Sequence, residues 1–385
     1  MIPIDSSIQR ILAINFGGIG DEILFFPVIQ GLRETYPNSR ITMLVEPRCA
    51  GIGAFNPAID EVMTFDIKAK PGPAELMALV GELRKRKFDL AISSGGSAMV
   101  PILLWLTGAR YRAGYGASKT AGLLTYKAPL SKQQYAADMY YDLIRAWVPS
   151  PNRLPQVAIA PADWNWAKEF MAEQGVQPGE AVVMLHPGCS RLSVLKGFIK
   201  AWAPENWAEL ARRLAGEGVR VMIAGGPDDE ETLAAIRAQM SAQAGTENSS
   251  GPTIGASGST IGASGSTIID AAGKTKGLGQ LAALIEQASV LVAVDSAPLH
   301  LGVAVAKPTV AIFGPTDPKK LLPEGTIHQA VHVSGLECRP CLWDRRQTTC
   351  EALTCLKDLS VDMVEQAVRR VLPAKRTGPV DSTPH

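Results

Sequence analysis

A glycine-rich segment near the start of the chain places a carboxylate where a ligand can approach the backbone. The segment is Gly17-Gly18-Ile19-Gly20-Asp21, and it follows an apolar run that ends at Phe16. Glycine lets the backbone approach a ligand closely, and Asp21 begins a helical pattern. The carboxylate therefore either faces a ligand or caps that helix and interacts with its dipole. A dinucleotide site is disfavoured, because Asp21 and Glu22 would repel a pyrophosphate.

Two loops in the second half of the chain also follow apolar runs and carry polar groups suited to a nucleotide. The segment His186-Pro187-Gly188-Cys189-Ser190 leads to Lys196 and Lys200, so hydroxyl and ammonium groups can reach a diphosphate. The alternative is an ordinary solvated loop. The segment Gly225-Gly226-Pro227-Asp228 precedes a helical pattern, and Asp228 either binds a ribose or, more simply, caps the helix.

A fourth segment, Val294-Asp295-Ser296-Ala297-Pro298-Leu299-His300, leads from an apolar run into a helical pattern. Pro298 suits an early helical position, and free amides at a helix start favour a phosphate. His300 alone is compatible with a buried structural histidine. The set does not indicate a hydrolase, because there is no G-x-S-x-G motif and the residues are too close in sequence to form a triad.

These four loops must be positioned by the elements around them, and all four follow predicted strands. Short β-rich runs that alternate with helical patterns predict an α/β fold with parallel sheets. Such sheets bind ligands beyond the carboxyl ends of their strands. In the first half, strands are predicted at residues 11–16, 41–45, 62–65, 90–93 and 111–113, and helices at 22–36, 74–86 and 134–147. In the second half, strands are predicted at 181–185, 219–224, 290–294 and 309–313, and a helix at 361–372.

The length of 385 residues and a proline-rich stretch between residues 149 and 180 predict two domains. We place the first domain at 1–177 and the second at 178–372, with a disordered tail at 373–385. The unit Thr253 to Ser259 repeats at once as Thr260 to Ser266, so we expect a flexible Gly/Ser-rich surface insertion at 245–266. A phosphate loop is disfavoured there, because the lysine and the strand-to-helix context are missing.

The charge balance and the apolar pattern exclude several classes of protein. The 38 Lys and Arg residues nearly balance the 37 Asp and Glu residues, so no global field attracts polyanions and no nucleic-acid partner is expected. The strongest apolar run, residues 98–106, is too short to span a bilayer. The N-terminus lacks the pattern of a signal peptide. A cytoplasmic location is therefore expected.

Three blocks of the sequence together resemble glycosyltransferase family 9, the family of the lipopolysaccharide heptosyltransferases. They are ILAINFGGIGDEILFFPVIQGLRETYP, HPGCS with KAWAPENWAELARRL, and VDSAPLHLGVAVAKPTVAIFGPTDP. The likeness covers most of residues 9–372. It implies the GT-B fold, in which two Rossmann-like domains with parallel sheets face each other. In that fold the first domain holds mainly the acceptor and the second holds the nucleotide-sugar.

The resemblance also implies a role for each loop in an inverting transfer that uses no cofactor and no metal. Asp21 resembles the catalytic base, with Gly17, Gly18 and Gly20 as the acceptor-side loop. Lys200 resembles the contact to the donor phosphates, and Asp228 the acid that binds the ribose. The other implied donor-binding residues are Ser190, Asp295, Ser296, Ala297 and His300. Asn15 stands where Arg is frequent and Ala297 where Gly is usual, which is expected to alter acceptor charge recognition and the amides near the phosphates.

By the same resemblance, the expected donor is ADP-heptose or another ADP-sugar, and the expected acceptor is a lipopolysaccharide core, another glycolipid or an oligosaccharide. A nucleotide-sugar epimerase of the same fold and an inactive sugar-binding module are the alternatives. The run Arg84-Lys85-Arg86-Lys87 ends a predicted helix and complements its dipole. Peripheral docking on the cytoplasmic face of the inner membrane is its functional alternative.

Four of the six cysteines cluster near the C-terminus, as Cys338-x2-Cys341 and Cys350-x4-Cys355. The family often has such a stretch. We expect reduced thiols packed in a loop. A metal site with zinc-like spacing is a weaker alternative, and a disulfide is the remaining one.

Overall fold

The computed structural model describes residues 2, 4, 7–148, 154–244, 259–261, 267–325 and 327–373. The chain builds two sheets with helices packed against them, and each of the four loops singled out above follows the carboxyl end of a strand. The predicted α/β fold with parallel sheets is confirmed. Nearly all of the predicted tail lies outside the described residues.

The first sheet has six parallel strands in the order β3-β2-β1-β4-β5-β6. They are β1 (Arg10–Ile14), β2 (Arg40–Val45), β3 (Glu61–Thr64), β4 (Leu90–Ser93), β5 (Tyr111–Tyr115) and β6 (Tyr126–Ala128). Ile11 and Ala13 of β1 pack into one hydrophobic cluster, while Leu12 and Ile14 pack into another. Both faces of the strand are therefore covered, which is why the sequence shows a continuous apolar run here.

The helices of this half are α1 (Ile19–Thr35), α2 (Pro73–Lys85), α3 (Met99–Leu106) and α4 (Ala136–Tyr141). α1 begins three residues earlier than predicted, because the extended backbone of Gly18 already serves as its N-cap. The helix predicted over 134–147 is too long: α-helix covers only α4, and turns carry the chain on from Asp142. β6 and α3 are not among the predicted elements.

The second sheet has seven described strands in the order β13-β12-β11-β7-β8-β10-β9. They are β7 (Val182–His186), β8 (Arg220–Ile223), β9 (Ser259–Ile261), β10 (Thr267–Asp270), β11 (Val290–Val294), β12 (Thr309–Ile312) and β13 (His328–Val331). The accompanying helices are α5 (Pro161–Glu173), α6 (Arg191–Leu195), α7 (Pro204–Gly216), α8 (Glu230–Ala244), α9 (Leu278–Gln287), α10 (Ala297–Ala304), α11 (Pro318–Leu321), α12 (Thr354–Lys357) and α13 (Val361–Val371).

Part of the predicted insertion belongs to this sheet. Residues 259–261 form β9, which pairs antiparallel with β10 at the sheet edge. The flexibility of the insertion at 245–266 as a whole stays a prediction. The rest of the insertion lies outside the described residues.

The two halves of the chain meet through paired helices. α1 of the first half packs against α10 of the second, and α5 packs against α9. One hydrophobic cluster runs from Ile11 and Ile23 in the first half to Met184 and Leu299 in the second. Because α5 precedes residue 178 but packs on α9, the boundary at 177/178 stays a prediction. In the described part of the chain, no helix is both long and apolar enough to cross a membrane.

Candidate functional site

Two donors hold the Asp21 carboxylate in the first turn of α1. Its Oδ2 accepts a hydrogen bond from the Gly18 amide at 2.7 Å, and its Oδ1 accepts one from the Tyr140 hydroxyl at 3.2 Å. The first bond caps the helix, so the structural role considered for Asp21 is present. A carboxylate offers about four lone-pair sites, so both oxygens can still accept a bond from a ligand. Gly17 leaves room for this side chain, because a Cβ at Gly17 would lie 2.3 Å from that of Asp21.

Arg48 and Asp21 both approach the bare face of Gly18. A Cβ at Gly18 would lie 3.5 Å from Arg48 Nη2 and 3.6 Å from Asp21 Oδ2. Arg48 also pairs through Nε with the buried Glu46 at 3.0 Å, and Glu46 pairs with Lys68 as well. The Arg48 guanidinium also donates to the Gly17 carbonyl at 3.4 Å, and Asn15 donates a hydrogen bond to the Asp21 carbonyl at 3.2 Å.

A cavity of about 170 Å³ opens beside Arg48, between the two halves of the chain. It is lined by Ile19, Arg48, Cys49, Gly51, Ile52, Phe55 and Leu278. Leu278 comes from α9 of the second half, while the other lining residues come from the first. The cavity is therefore lined by residues from both halves of the chain.

Glu22 lies next to Asp21 in sequence but is fully buried. Neither carboxyl oxygen has a hydrogen-bond partner among the described residues. Burial raises the pKa of Glu22 well above its usual value, and the charge of Asp21 adds to this. Burial of the Glu22 side chain thus favours its protonated form. The nearby Cys49 thiol is also desolvated, and its pKa rises to about 12.

His300 connects the two halves at the start of α10. Its ring packs on Gly20, where a Cβ would lie 2.7 Å from His300 Cδ2. The imidazole is buried, and no described residue partners its Nδ1. Burial lowers the pKa of His300, while the charges of Asp295 and Asp21 act in the opposite direction. The residue is thus both a packing partner of α1 and a neutral polar group near Asp21.

Lys200 and Asp295 form a buried ion pair at the carboxyl ends of the second sheet. Lys200 Nζ lies 3.2 Å from Asp295 Oδ2, and the two side chains are 10% and 4% exposed. Ser296 is the N-cap of α10 and donates its hydroxyl to the Val294 carbonyl at 3.3 Å. Ala297 begins the helix. The predicted donor residues 200, 295, 296, 297 and 300 therefore lie in one region.

The helix cap considered for Asp228 is made by its neighbour Asp229. The Asp229 carboxylate accepts a hydrogen bond from the Gly226 amide at 2.8 Å and is buried. Asp228 is exposed and accepts one from the Arg191 amide at 3.2 Å. Arg191 begins α6, whose N-cap is Ser190. Asp228 thus joins the loops after β7 and β8 and keeps a solvent-facing carboxylate.

The four C-terminal cysteines are free thiols. Cys341 and Cys355 are buried, Cys350 is half-buried and Cys338 is exposed. Among the described residues, no three His, Cys, Asp or Glu side chains are grouped so as to hold a metal ion. Their loop carries Trp343, whose ring lies 5.3 Å from Lys200 Nζ.

Sequence reasoning did not find Tyr140, Arg48 or Trp343. Tyr140 is 119 positions from Asp21, and Trp343 is more than 140 from Lys200. No local motif connects such residues, since only the fold brings them together. The sequence offers one indication of Trp343, because this large aromatic residue lies within the cysteine-rich stretch.

Comparisons with known proteins agree with this arrangement. The profile described as glycosyltransferase family 9 (heptosyltransferase) matches residues 76–351. Lipopolysaccharide heptosyltransferase 3 of Escherichia coli is 26% identical over 306 residues, which cover 77% of this chain and 81% of that protein.

Two solved structures share the fold. The glycosyl transferase family 9 protein of Veillonella parvula superposes with a TM-score of 0.71 at 23% identity, over 94% of this chain and 97% of that one. The E. coli heptosyltransferase WaaC with ADP-2-deoxy-2-fluoro heptose gives a TM-score of 0.62 at 20% identity, over 94% and 99%. The expected arrangement of two Rossmann-like domains of the GT-B type is confirmed.

Proposed function

Because this chain belongs to glycosyltransferase family 9, we propose that it transfers a heptose, with inversion, from ADP-heptose to a lipopolysaccharide core or a related glycolipid. The observation that carries this proposal is the contact between α1 and α10, at which His300 packs on Gly20 next to Asp21. In a two-domain transferase, the sugar passes from a donor bound by one half to an acceptor bound by the other. Side chains of both halves must therefore lie close together at the reacting atoms. An epimerase or a sugar-binding module needs no acceptor, and the family does not favour either.

Asp21 is the group we assign as general base. The acceptor hydroxyl gives its proton to the Asp21 carboxylate while its oxygen bonds to the anomeric carbon of the donor. The bond between that carbon and the diphosphate oxygen breaks, and its electron pair leaves with the nucleoside diphosphate. The bonds from Gly18 and Tyr140 fix the carboxylate during this step. Gly18 lets the acceptor come close to the backbone, whereas the absence of side chains at Gly17 and Gly20 makes room for Asp21 and His300.

Charge that develops on the leaving diphosphate is stabilised from the second half. Lys200 supplies a buried ammonium, and Ser296 and Ala297 form the start of α10, where helix amides favour an anion. Asp295 holds Lys200 in place, and His300 lies between this group and Asp21. Ser190 and the open carboxylate of Asp228 are assigned to the nucleoside side of the donor.

Relatives support ADP-heptose as the donor and a glycolipid as the acceptor. One relative is named a lipopolysaccharide heptosyltransferase, and one structural neighbour holds an ADP-heptose analogue. On the acceptor side, the Arg48 guanidinium and the cavity beside it fit an anionic, partly apolar molecule. These features favour an acceptor that carries phosphate or carboxylate groups.

A glycolipid acceptor leads us to place the enzyme in the cytoplasm, in peripheral contact with the inner membrane. Lys85 ends α2 with 79% of its side chain exposed, and its ammonium lies 3.7 Å from the exposed carboxylate of Glu82. Lys87 follows and is exposed, whereas Arg86 pairs with both Glu61 and Glu82. Exposed lysines attract anionic lipid headgroups. Sedimentation with anionic vesicles tests this contact, and equal sedimentation with neutral vesicles would contradict it.

The experiment that tests the transferase is product analysis with an Asp21→Asn variant. The unaltered enzyme, given ADP-heptose and a heptose-free core glycolipid, should yield a larger glycolipid and free ADP by mass spectrometry. Asn keeps the side-chain oxygen that accepts the Gly18 amide, so the fold and donor affinity should be retained. Loss of the general base should lower turnover by about 10² to 10⁴.

Two results would contradict the proposal. Near-normal turnover in Asp21→Asn would leave the residue only its capping role. Release of ADP or an isomerised sugar without any change in acceptor mass would indicate hydrolysis or epimerisation.

A further inference from the structure

Trp343 is a large aromatic residue that the fold holds exposed in an unfavourable backbone conformation. Its φ is +67°, and 51% of its surface is accessible to solvent. The left-handed region is costly for a bulky residue, and an exposed indole recovers little of that cost by burial. Such strain persists where the surrounding structure imposes it, and it concentrates at ligand sites.

The loop that carries Trp343 is fixed at two places near the candidate donor site. The amides of Cys341 and Leu342 donate to the Pro315 carbonyl, which follows β12, at 2.9 and 3.1 Å. On the other side, the amide and hydroxyl of Thr349 donate to the Gly197 carbonyl at 2.9 and 2.8 Å. Gly197 lies three residues before Lys200. The cysteine-rich loop therefore joins two segments that border the ion pair of Lys200 and Asp295.

The indole lies against the segment that contains Lys200. Its ring centroid is 5.3 Å from Lys200 Nζ and 5.9 Å from the Phe198 ring, which meets it edge-on at 76°. Phe198 and Lys200 lie against part of the indole, and about half of the Trp343 surface faces solvent. Ligand pockets typically combine aromatic side chains with a few charged groups that orient the ligand. The exposed indole of Trp343 and the buried ammonium of Lys200 form such a combination.

We propose that Trp343 is a donor-binding residue whose open indole surface packs on the sugar ring of the nucleotide-sugar. This inference rests on the proposed function, in which Lys200 holds the diphosphate. The sugar is joined directly to that diphosphate, so a group 5.3 Å from the Lys200 ammonium is within reach of the sugar. The nucleoside extends from the other end of the diphosphate, where Asp228 is assigned to it. Trp343 thus gives the cysteine-rich loop a function in selecting the donor.

The test is calorimetric titration of three variants with ADP and with ADP-heptose. Trp343→Ala should weaken binding of ADP-heptose by about tenfold, the usual size of an aromatic packing contact. Its affinity for ADP should change by less than about twofold, because ADP has no sugar beyond the diphosphate. Trp343→Phe should restore most of the lost affinity. Trp105→Ala is the matched control, since Trp105 is similarly exposed, at 53%, on α3 in the other half.

Each outcome is decisive when thermal melting shows that the variants are folded. Unchanged affinity of Trp343→Ala for ADP-heptose overturns the inference and leaves the transferase assignment intact. An equal loss for ADP and ADP-heptose also overturns it, by placing the nucleotide on the indole. If the unaltered protein binds neither ligand, the proposed donor and this inference fail together.

Discussion

At the residue scale, the site depends on ionisable side chains that the fold has removed from water. The charges of Lys200 and Asp295 neutralise each other in an ion pair, and each side chain is almost fully buried. A charge left without its partner in such a place is costly, by about 3 to 5 kcal/mol. Lys200 therefore has a structural role in addition to the assigned phosphate contact, and a simple deletion of its charge will affect both.

We expect Lys200→Met to lower the melting temperature by several degrees and to abolish most donor binding, because Asp295 remains buried without a cation. The double variant Lys200→Met/Asp295→Asn should recover most of the stability, since no isolated charge remains, but not the donor affinity. Thermal melts and titration with ADP separate the two effects. Normal ADP affinity in the stable double variant would show that Lys200 does not bind the phosphates.

Glu22 predicts a pH dependence of folding. Its pKa in the folded protein is raised by burial above the usual 4.5, so the unfolded chain loses the proton first as the pH rises. Its contribution to stability is therefore present in acid and decreases as the pH rises from about 4.5 toward the folded pKa. The loss is at most about 1.4 kcal/mol per pH unit.

Glu22→Gln should remove that slope, because glutamine does not ionise. Its free energy of unfolding should exceed that of the unaltered protein at pH 8 and match it more closely at pH 5. Urea unfolding at both values measures the difference. A variant that is less stable at both would mean that the Glu22 carboxyl makes a bond that glutamine cannot replace.

At the element scale, the packing of α1 on α10 determines the site. α1 approaches α10 closely because Gly20 has no side chain, and the His300 ring occupies the space that a Cβ would take. The same contact brings Asp21, which caps α1, toward the loop at the start of α10. A methyl group at this position must displace either the ring or the helix.

Gly20→Ala should therefore lower turnover at least about tenfold and destabilise the protein by about 1 to 3 kcal/mol. Gly81→Ala is the matched control, since Gly81 also lies in a helix but a Cβ added there would meet no atom within 4 Å. That change should stabilise the protein by up to about 1 kcal/mol through helix propensity alone. If Gly20→Ala behaves like Gly81→Ala, the close approach of α1 and α10 is not needed for activity.

The elements predicted well from the sequence are those with both faces buried. β4 and β11 coincide with their predicted ranges, because continuous apolar runs occur where helices cover a parallel strand on both sides. The short outer strands β6 and β13 gave no such run. Of the candidate site, the loops after strands were predictable from local sequence, whereas the contacts of Tyr140, Arg48 and Trp343 depend on how distant segments fold together. Local sequence also did not show which of the two adjacent residues Asp228 and Asp229 makes the helix cap. The fold assigns the cap to Asp229.

At the scale of the whole molecule, the two sheets share one hydrophobic cluster. Residues of β1 and α1 belong to the same contiguous cluster as residues of β7 and α10. Domains connected only by a linker unfold separately, but a shared core couples them. The site lies on this shared core, so a ligand of one half should be sensed by the other.

We expect calorimetry to show a single unfolding transition for the intact chain. ADP at about 100 times its dissociation constant should stabilise the protein by about 2.7 kcal/mol and move the whole transition upward. Two resolved transitions, of which ADP moves only one, would mean that the halves unfold independently.

The pairing of β9 with β10 has a consequence for how the length of this chain can vary. β9 is Ser259–Ile261, and the seven-residue unit that ends at Ser266 is followed by Thr267-Ile268, the start of β10. Each boundary between units therefore restores the same Ser-Thr-Ile tripeptide. A chain with one more seven-residue unit would present an identical tripeptide to β10. The pairing of β9 with β10 thus does not depend on the number of repeat units. The repeat array can change in length without a change in the register of these strands.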